Sequence, residues 1–369
     1  MDLPSFLPCC APSPERSSAG PIAAVPVRQP AVDLGVKAAA AVGCYGLTMS
    51  EARAAGLCAV IAMGACLSGG CRADRSEERR RVSSEIGGAR SAPGVPWELV
   101  YEQEVEGNID LYLIPAAGGP ARRLTTHPRE DIHARWMPDG RRIIFTSNRT
   151  VNPQLWELSV DGGEPRQVRR NAGGESQPDP SPDGRRLAFL SDHEGPQRLL
   201  VMDFASGAAT ELVRHGSDTI FGNPHWSPDG SRIAFSSNQR FGHQIYYVDV
   251  ATRELHRVSP VTSGGCEPRF TRDGRRVSYV SRGHLGSTSR LVERDLETGE
   301  ERVLVDWPAL NYDAAYSPDG AEVAFASDIT GEWVIYRQRL SDGRAWRVTF
   351  GGGAARYPDY RPAVPAAGR

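Results

Sequence analysis

From about residue 97 onward the chain is a succession of short apolar and aromatic runs separated by polar turns. Arg232-Ile233-Ala234-Phe235-Ser236-Ser237 and Glu322-Val323-Ala324-Phe325-Ala326-Ser327 read as strands. Gln154-Leu155-Trp156-Glu157-Leu158 and Gln244-Ile245-Tyr246-Tyr247-Val248 read as further strands. Five turns punctuate these runs: Met137-Pro138-Asp139-Gly140, Ser181-Pro182-Asp183-Gly184, Ser227-Pro228-Asp229-Gly230, Thr271-Arg272-Asp273-Gly274 and Ser317-Pro318-Asp319-Gly320. Proline pre-sets φ for the first corner, aspartate bonds its own backbone, and glycine takes a left-handed conformation without steric cost. Each such turn therefore predicts a hairpin. In the fourth copy Arg272 replaces proline, which is expected to loosen the turn without abolishing it.

The aspartates of the five turns are 44, 46, 44 and 46 positions apart. A period of this length marks a supersecondary unit repeated around a ring or along a stack. Every copy holds a partly aromatic first strand before the turn, a second strand after it, an apolar third and a short basic fourth such as His256-Arg257-Val258. Charge on an outermost strand protects a sheet edge from pairing with another molecule. Four antiparallel strands per repeat predict an all-β fold, a β-propeller of four-stranded blades. The stretches Glu98–Glu102, Asp110–Ile114 and Ala121–Thr125 match second, third and fourth strands, and residues 356–362 match a first strand with no hairpin behind it. Joined, they make a sixth blade, split three plus one, that closes the ring.

The pattern aromatic-Ser-Pro-Asp-Gly followed by (Ile/Val)-Ala-Phe-x-Ser-(Asp/Asn), best preserved over Trp226–Asn238 and Tyr316–Asp328, resembles the WD40-like (PD40) repeat of TolB-type propellers. The resemblance covers residues 97–362 and does not extend to the small α/β domain that precedes the propeller in that family. It implies a non-enzymatic scaffold of the bacterial cell envelope whose partner is an envelope protein or a peptide inserting into the channel.

The N-terminal part has a different character. Residues 1–48 are rich in Ala, Pro and Gly without a usable hydrophobic period, and read as a low-complexity leader or a misplaced start. Residues 49–71 carry a short basic stretch, an apolar run over 54–65 and small residues before Cys66 and Cys71, which is the plan of a secretory signal. Either cysteine is a candidate for lipidation, although Met63 and Ser68 stand where a lipoprotein signal has leucine. Residues 72–96, with Arg79-Arg80-Arg81, read as a flexible tether, and 363–369 as a tail. These readings place the protein in the periplasm or cell envelope, attached to a membrane only through a lipid anchor.

Composition narrows the function further. A net charge of −2 provides no field for nucleic acid, and the protein is expected to bind none, to need no cofactor and to be a monomer. Of seven cysteines only Cys266 lies inside the repeats, so no bridge can form within them. No Gly-x-Ser-x-Gly elbow is present, unlike the enzymes that similar propellers cap in prolyl oligopeptidase-like proteases. The Asp-Gly pairs lack the ligand spacing of calcium loops. Function is therefore expected in the loops just before each first strand, near the channel mouth. The candidates there are Asp131, His133, Glu175, Asn223, His225, Glu267 and Asp313, with Trp136 and Trp226 beside them. An alternative is a metal-dependent carbohydrate lyase or hydrolase, as in oligogalacturonate lyases, but no metal set with short His-x-His spacing is present.

Overall fold

The computed structural model describes residues 76–86, 94–193, 195–213, 219–238, 243–260, 264–282 and 288–363. The signal-like segment, Cys66, Cys71 and nearly all of the tail lie outside the described residues. Within the stretch read as a tether, residues 76–86 form a helix, α1. The Arg79 guanidinium donates to the carbonyls of Asp328 and Ile329 and pairs with the Asp328 carboxylate at 3.4 Å. No described helix is long and apolar enough to cross a membrane.

The remainder is a six-bladed propeller, each blade a four-stranded antiparallel sheet. Blade 1 starts with β4 (Asp131–Trp136), blade 2 with β8 (Glu175–Pro180), blade 3 with β12 (Phe221–Trp226), blade 4 with β16 (Gly264–Phe270) and blade 5 with β20 (Asn311–Tyr316). Blade 6 is composite: β24 (Ala355–Tyr360) pairs with β1 (Glu98–Val105), followed by β2 (Asn108–Pro115) and β3 (Arg122–Arg123). The split three-plus-one closure read from the sequence is the observed one. Its register pairs Leu99 with Tyr360 and Glu102 with Arg356, and Arg361 locks it by donating its amide to Glu98 O and its guanidinium to the Glu98 carboxylate.

The Pro-Asp-Gly turns owe their form to local chemistry. In each, the glycine has φ between 62° and 70°, and its amide donates to the residue three before it at 2.8–2.9 Å. Ser227 Oγ donates to Asp229 Oδ1 and accepts the Arg232 amide at 2.9 Å, closing the turn from inside. That hydroxyl and the neighbouring amides hold the Asp229 carboxyl down at about 2. The fourth copy departs from expectation. Its turn bond, Gly274 amide to Thr271 O, is 2.9 Å like the rest, so Arg272 does not loosen it. Instead the Arg272 guanidinium reaches blade 5 and donates to the carbonyls of Tyr316 and Ser317, both at 3.1 Å.

The turns also register one blade on the next. Arg186 stacks on Trp226 and donates to Gly230 O, Arg232 lies over Phe270 and donates to Gly274 O, and Arg361 lies over Trp136 and donates to Gly140 O. Between blades, successive sheets bury the apolar core. Phe189, Phe235, Tyr279 and Phe325 are fully buried, as the strand pattern predicts. Phe235 packs with Ala188, Leu190 and Trp226, and Phe145 with Val100, Leu111 and Trp136, so each cluster draws on two neighbouring blades. Cys266 is buried in β16.

Candidate functional site: two rings in the channel

The six first strands contact one another around the axis and form its wall. All six carry the same irregularity. Their register with the second strand shifts near the start of the strand, for instance between Ile132 and Arg135, Gly222 and His225, Cys266 and Arg269, and Tyr312 and Ala315. The residue at the bulge has a left-handed backbone in every blade: His133 (φ 54°), Gln177 (53°), Asn223 (51°), Glu267 (57°), Asp313 (60°) and Tyr357 (50°). A left-handed conformation is uncommon for non-glycine residues and costs of order 1–3 kcal/mol where it is strained. Bulges re-aim side chains and gather at barrel rims and active sites. Six around one axis make a ring of side chains at the mouth of the channel.

Side chains from the preceding blade cap this ring. Glu102 accepts the His133 amide, Thr146 Oγ1 accepts that of Gln177 at 3.0 Å, and Gln177 Oε1 accepts that of Asn223. Glu267 Oε2 accepts the Asp313 amide at 2.7 Å, and Asp313 Oδ2 that of Tyr357 at 3.3 Å. Five of the six bulge amides are thus satisfied between blades, which helps hold the strained geometry in place.

Of the candidate residues, His133, Asn223, Glu267 and Asp313 come together in this ring. Asp131 and Glu175 do not. They sit two residues earlier, at the start of their strands, and are paired locally: Asp131 with Arg149 of its own blade at 3.0 Å, and Glu175 with Arg169 at 3.3 Å and Asn171 on the linker that leads into its strand. His225 lies two residues further along its strand, level with Arg135, Asp179, Arg269, Ala315 and Asp359 in a second ring. The two histidines are therefore in different layers. Among the described residues no group of three or more His, Cys, Asp or Glu side chains is arranged to hold a metal ion.

Sequence reasoning passed over Gln177, Tyr357, Glu102 and Arg356. Counting back four from the residue that opens each turn finds Gln177 from Ser181, as it finds Asn223 from Ser227, and Tyr357 from Arg361 in the closing strand. No local signal marks Glu102, which belongs to a second strand.

Three carboxyls, those of Glu102, Glu267 and Asp313, are buried in or beside the mouth ring. Burial pushes the Glu102 carboxyl up to about 8. Burial, and then the Asp313 charge, raise Glu267 well above the ordinary carboxylate range. Arg356 lies 3.5 Å from Asp313 and over the Trp333 ring; burial works against its charge, but Asp313, Tyr357, Glu267 and Glu102 outweigh it and raise its pKa. Burial, with Arg135 and Arg356 nearby, drives His133 down to about 3, so it is neutral at physiological pH. Its ring meets Tyr357 edge-on at 4.9 Å.

Around the channel the mouth face exposes apolar side chains. Val105, at the end of β1, and Val151 (fully exposed), Ile220 and Phe350 (58% exposed), on connecting loops, lie at the end of the propeller where the first strands begin.

Comparison with known proteins agrees with this architecture. The TolB beta propeller domain (PD40) matches residues 74–180 and 165–307. A segment of 55 residues is 44% identical to the Tol-Pal system protein TolB of Bordetella pertussis, covering 15% of this chain and 13% of that protein. Among solved structures, TolB from Acinetobacter baumannii superposes with a TM-score of 0.64 at 19% identity, over 74% of this chain and 69% of that one. A putative TolB from Agrobacterium tumefaciens does so with a TM-score of 0.58 at 16% identity, over 71% and 92%. The repeated turns, the six blades and a family match over most of the propeller agree, and the chain belongs to the TolB beta propeller (PD40) family.

Proposed function

We propose that this protein is a non-enzymatic binding module of the bacterial cell envelope, which takes a protein or peptide partner on the channel-mouth face. The observation that carries the reading is a ring of six left-handed residues with buried carboxyls, together with exposed apolar side chains at the same end of the propeller. A backbone held in left-handed conformations by inter-blade bonds is preorganised, so little ordering cost remains when a partner docks. The similarity to Tol-Pal system TolB proteins supports an envelope partner, and the signal-like segment before Cys66 and Cys71 supports a periplasmic location with a lipid anchor at one of them. In this reading the protein acts as a monomer, binds no nucleic acid and uses no cofactor.

Photo-crosslinking in cells tests this. A crosslinker placed at Val151, Ile220 or Phe350 is expected to yield a discrete adduct with an envelope protein. The same probe at Leu255 or Val303, on outer strands, is expected to yield none. Adducts from the outer strands alone, or from no position, would refute the assignment of the face.

A further inference from the structure

Below the mouth ring, the second ring holds two arginines whose charges are poorly matched. Arg135 (6% exposed) lies 3.6 Å from Asp179, and Arg269 (7% exposed) lies 3.4 Å from Asp359. These contacts are long and single, unlike the two-pronged 3.0 Å pairing of Arg149 with Asp131. The reason is that both aspartates are already engaged. Asp179 Oδ2 accepts the Trp226 amide at 2.8 Å, and Asp359 Oδ2 accepts the Trp136 amide at 3.0 Å, each tying one blade to the next. Only Oδ1 is left to each arginine. Buried guanidinium groups are costly unless fully paired and hydrogen-bonded, yet Arg135 Nε has no hydrogen-bond partner.

His225 adds a third donor. Its Nδ1 accepts the Phe270 amide at 3.1 Å, which assigns the ring proton to Nε2. Burial, and then Arg269 and Arg135, hold it well below its ordinary pKa, so it is a neutral donor rather than a cation. Arg272 extends the positive field toward the turn face. The sixth position, Ala315, is small and leaves the gap across which Arg269 faces Asp359. The charged groups facing this layer are therefore Arg135, Arg269 and Arg272 against Asp179 and Asp359, with Glu102, Asp313 and Arg356 in the ring above.

We propose that this deep ring is a binding site for a carboxylate, held by Arg135, Arg269 and the Nε2–H of His225. Planar guanidinium forks match the two oxygens of a carboxylate. Asp179 and Asp359 flank the site and disfavour the second charge of a phosphate or sulfate. Two sources present this chemistry, a small free carboxylic acid and the C-terminal carboxylate of a peptide. The site is independent of the mouth-face reading, and either stands without the other.

Calorimetric titration of the full chain in chloride-free buffer tests the assignment, with acetate, triglycine and triglycine amide as probes. Saturable binding of the free acids with a Kd of about 1 mM or tighter is expected, with none for the amide. Triglycine binding about tenfold tighter than acetate assigns a peptide C-terminus; equal affinities assign a small carboxylate. Arg135→Gln and Arg269→Gln should each weaken binding at least about tenfold. Where either fails to fold, Arg269→Lys keeps the charge, removes the fork and should still weaken binding severalfold. Absence of saturable binding in the wild type, binding of the amide equal to that of the free acid, or undiminished binding in the folded variants would overturn the proposal.

Discussion

Glu102→Gln offers the most direct measure of how the mouth ring is built. Glu102 lies on β1, is 5% exposed, accepts the His133 amide through Oε1, and has its carboxyl raised to about 8 by burial. A folded-state value above the unfolded one means that the folded protein holds the proton more tightly. Its contribution is fully present below about pH 4.5 and is lost progressively as pH rises to about 8. The gap between 4.5 and 8 corresponds to about 5 kcal/mol at full ionisation. Water penetration and adjustment of Arg356 and Arg135 reduce this to about 2–4 kcal/mol. Glutamine is neutral at every pH and its amide oxygen still accepts the His133 amide. Urea denaturation at pH 5, 7 and 9 should therefore find the variant within about 1 kcal/mol of wild type at pH 5 and more stable by about 2–4 kcal/mol at pH 9. Glu267 titrates in both proteins and largely cancels from the difference. A stability difference that stays constant from pH 5 to 9, or wild type more stable at pH 9, would refute the claim that Glu102 is a desolvated carboxyl held by the ring.

Further expectations concern the scaffold. Arg272→Pro restores the turn sequence of the other copies, yet should destabilise by about 1–3 kcal/mol in denaturant melts, because two bonds from a guanidinium to Tyr316 O and Ser317 O are lost. Phe235→Ala removes a fully buried ring from the cluster shared by blades 2 and 3 and should cost about 3–5 kcal/mol by the same assay. Ending the chain at residue 354 removes β24, leaves Leu99 and Tyr101 uncovered and opens the ring. The product should lose its cooperative thermal transition, and a transition unchanged from wild type would exclude closure as the source of ring stability.

Much of the architecture was legible in the chain because its causes are local. Proline, aspartate and glycine set φ over four residues, so the turns could be read copy by copy, and the strand runs beside them gave blade count and core. The orphan strands at 98–125 and 356–362 disclosed the closure because each lacked what the other supplied. The mouth ring was legible only in part. Asp131 resembles Asp313 in chemistry, but the bulge leaves it two residues out of register, where Arg149 claims it. His133 and His225 look equivalent as histidines in first strands, yet belong to different layers of the channel.

What the amino-acid sequence determined by itself was therefore the unit: a four-stranded blade, its hairpin and its number of copies, since these depend on residues within a few positions of one another. Tertiary structure alone decided which side chains meet. Glu102 reaches the ring from a second strand, Arg356 from the closing strand, and Arg269 finds Asp359 across the gap at Ala315. These partners lie 31, 43 and 90 residues apart and belong to different blades, so they meet only when the ring is assembled, and there burial sets their charges rather than their identity.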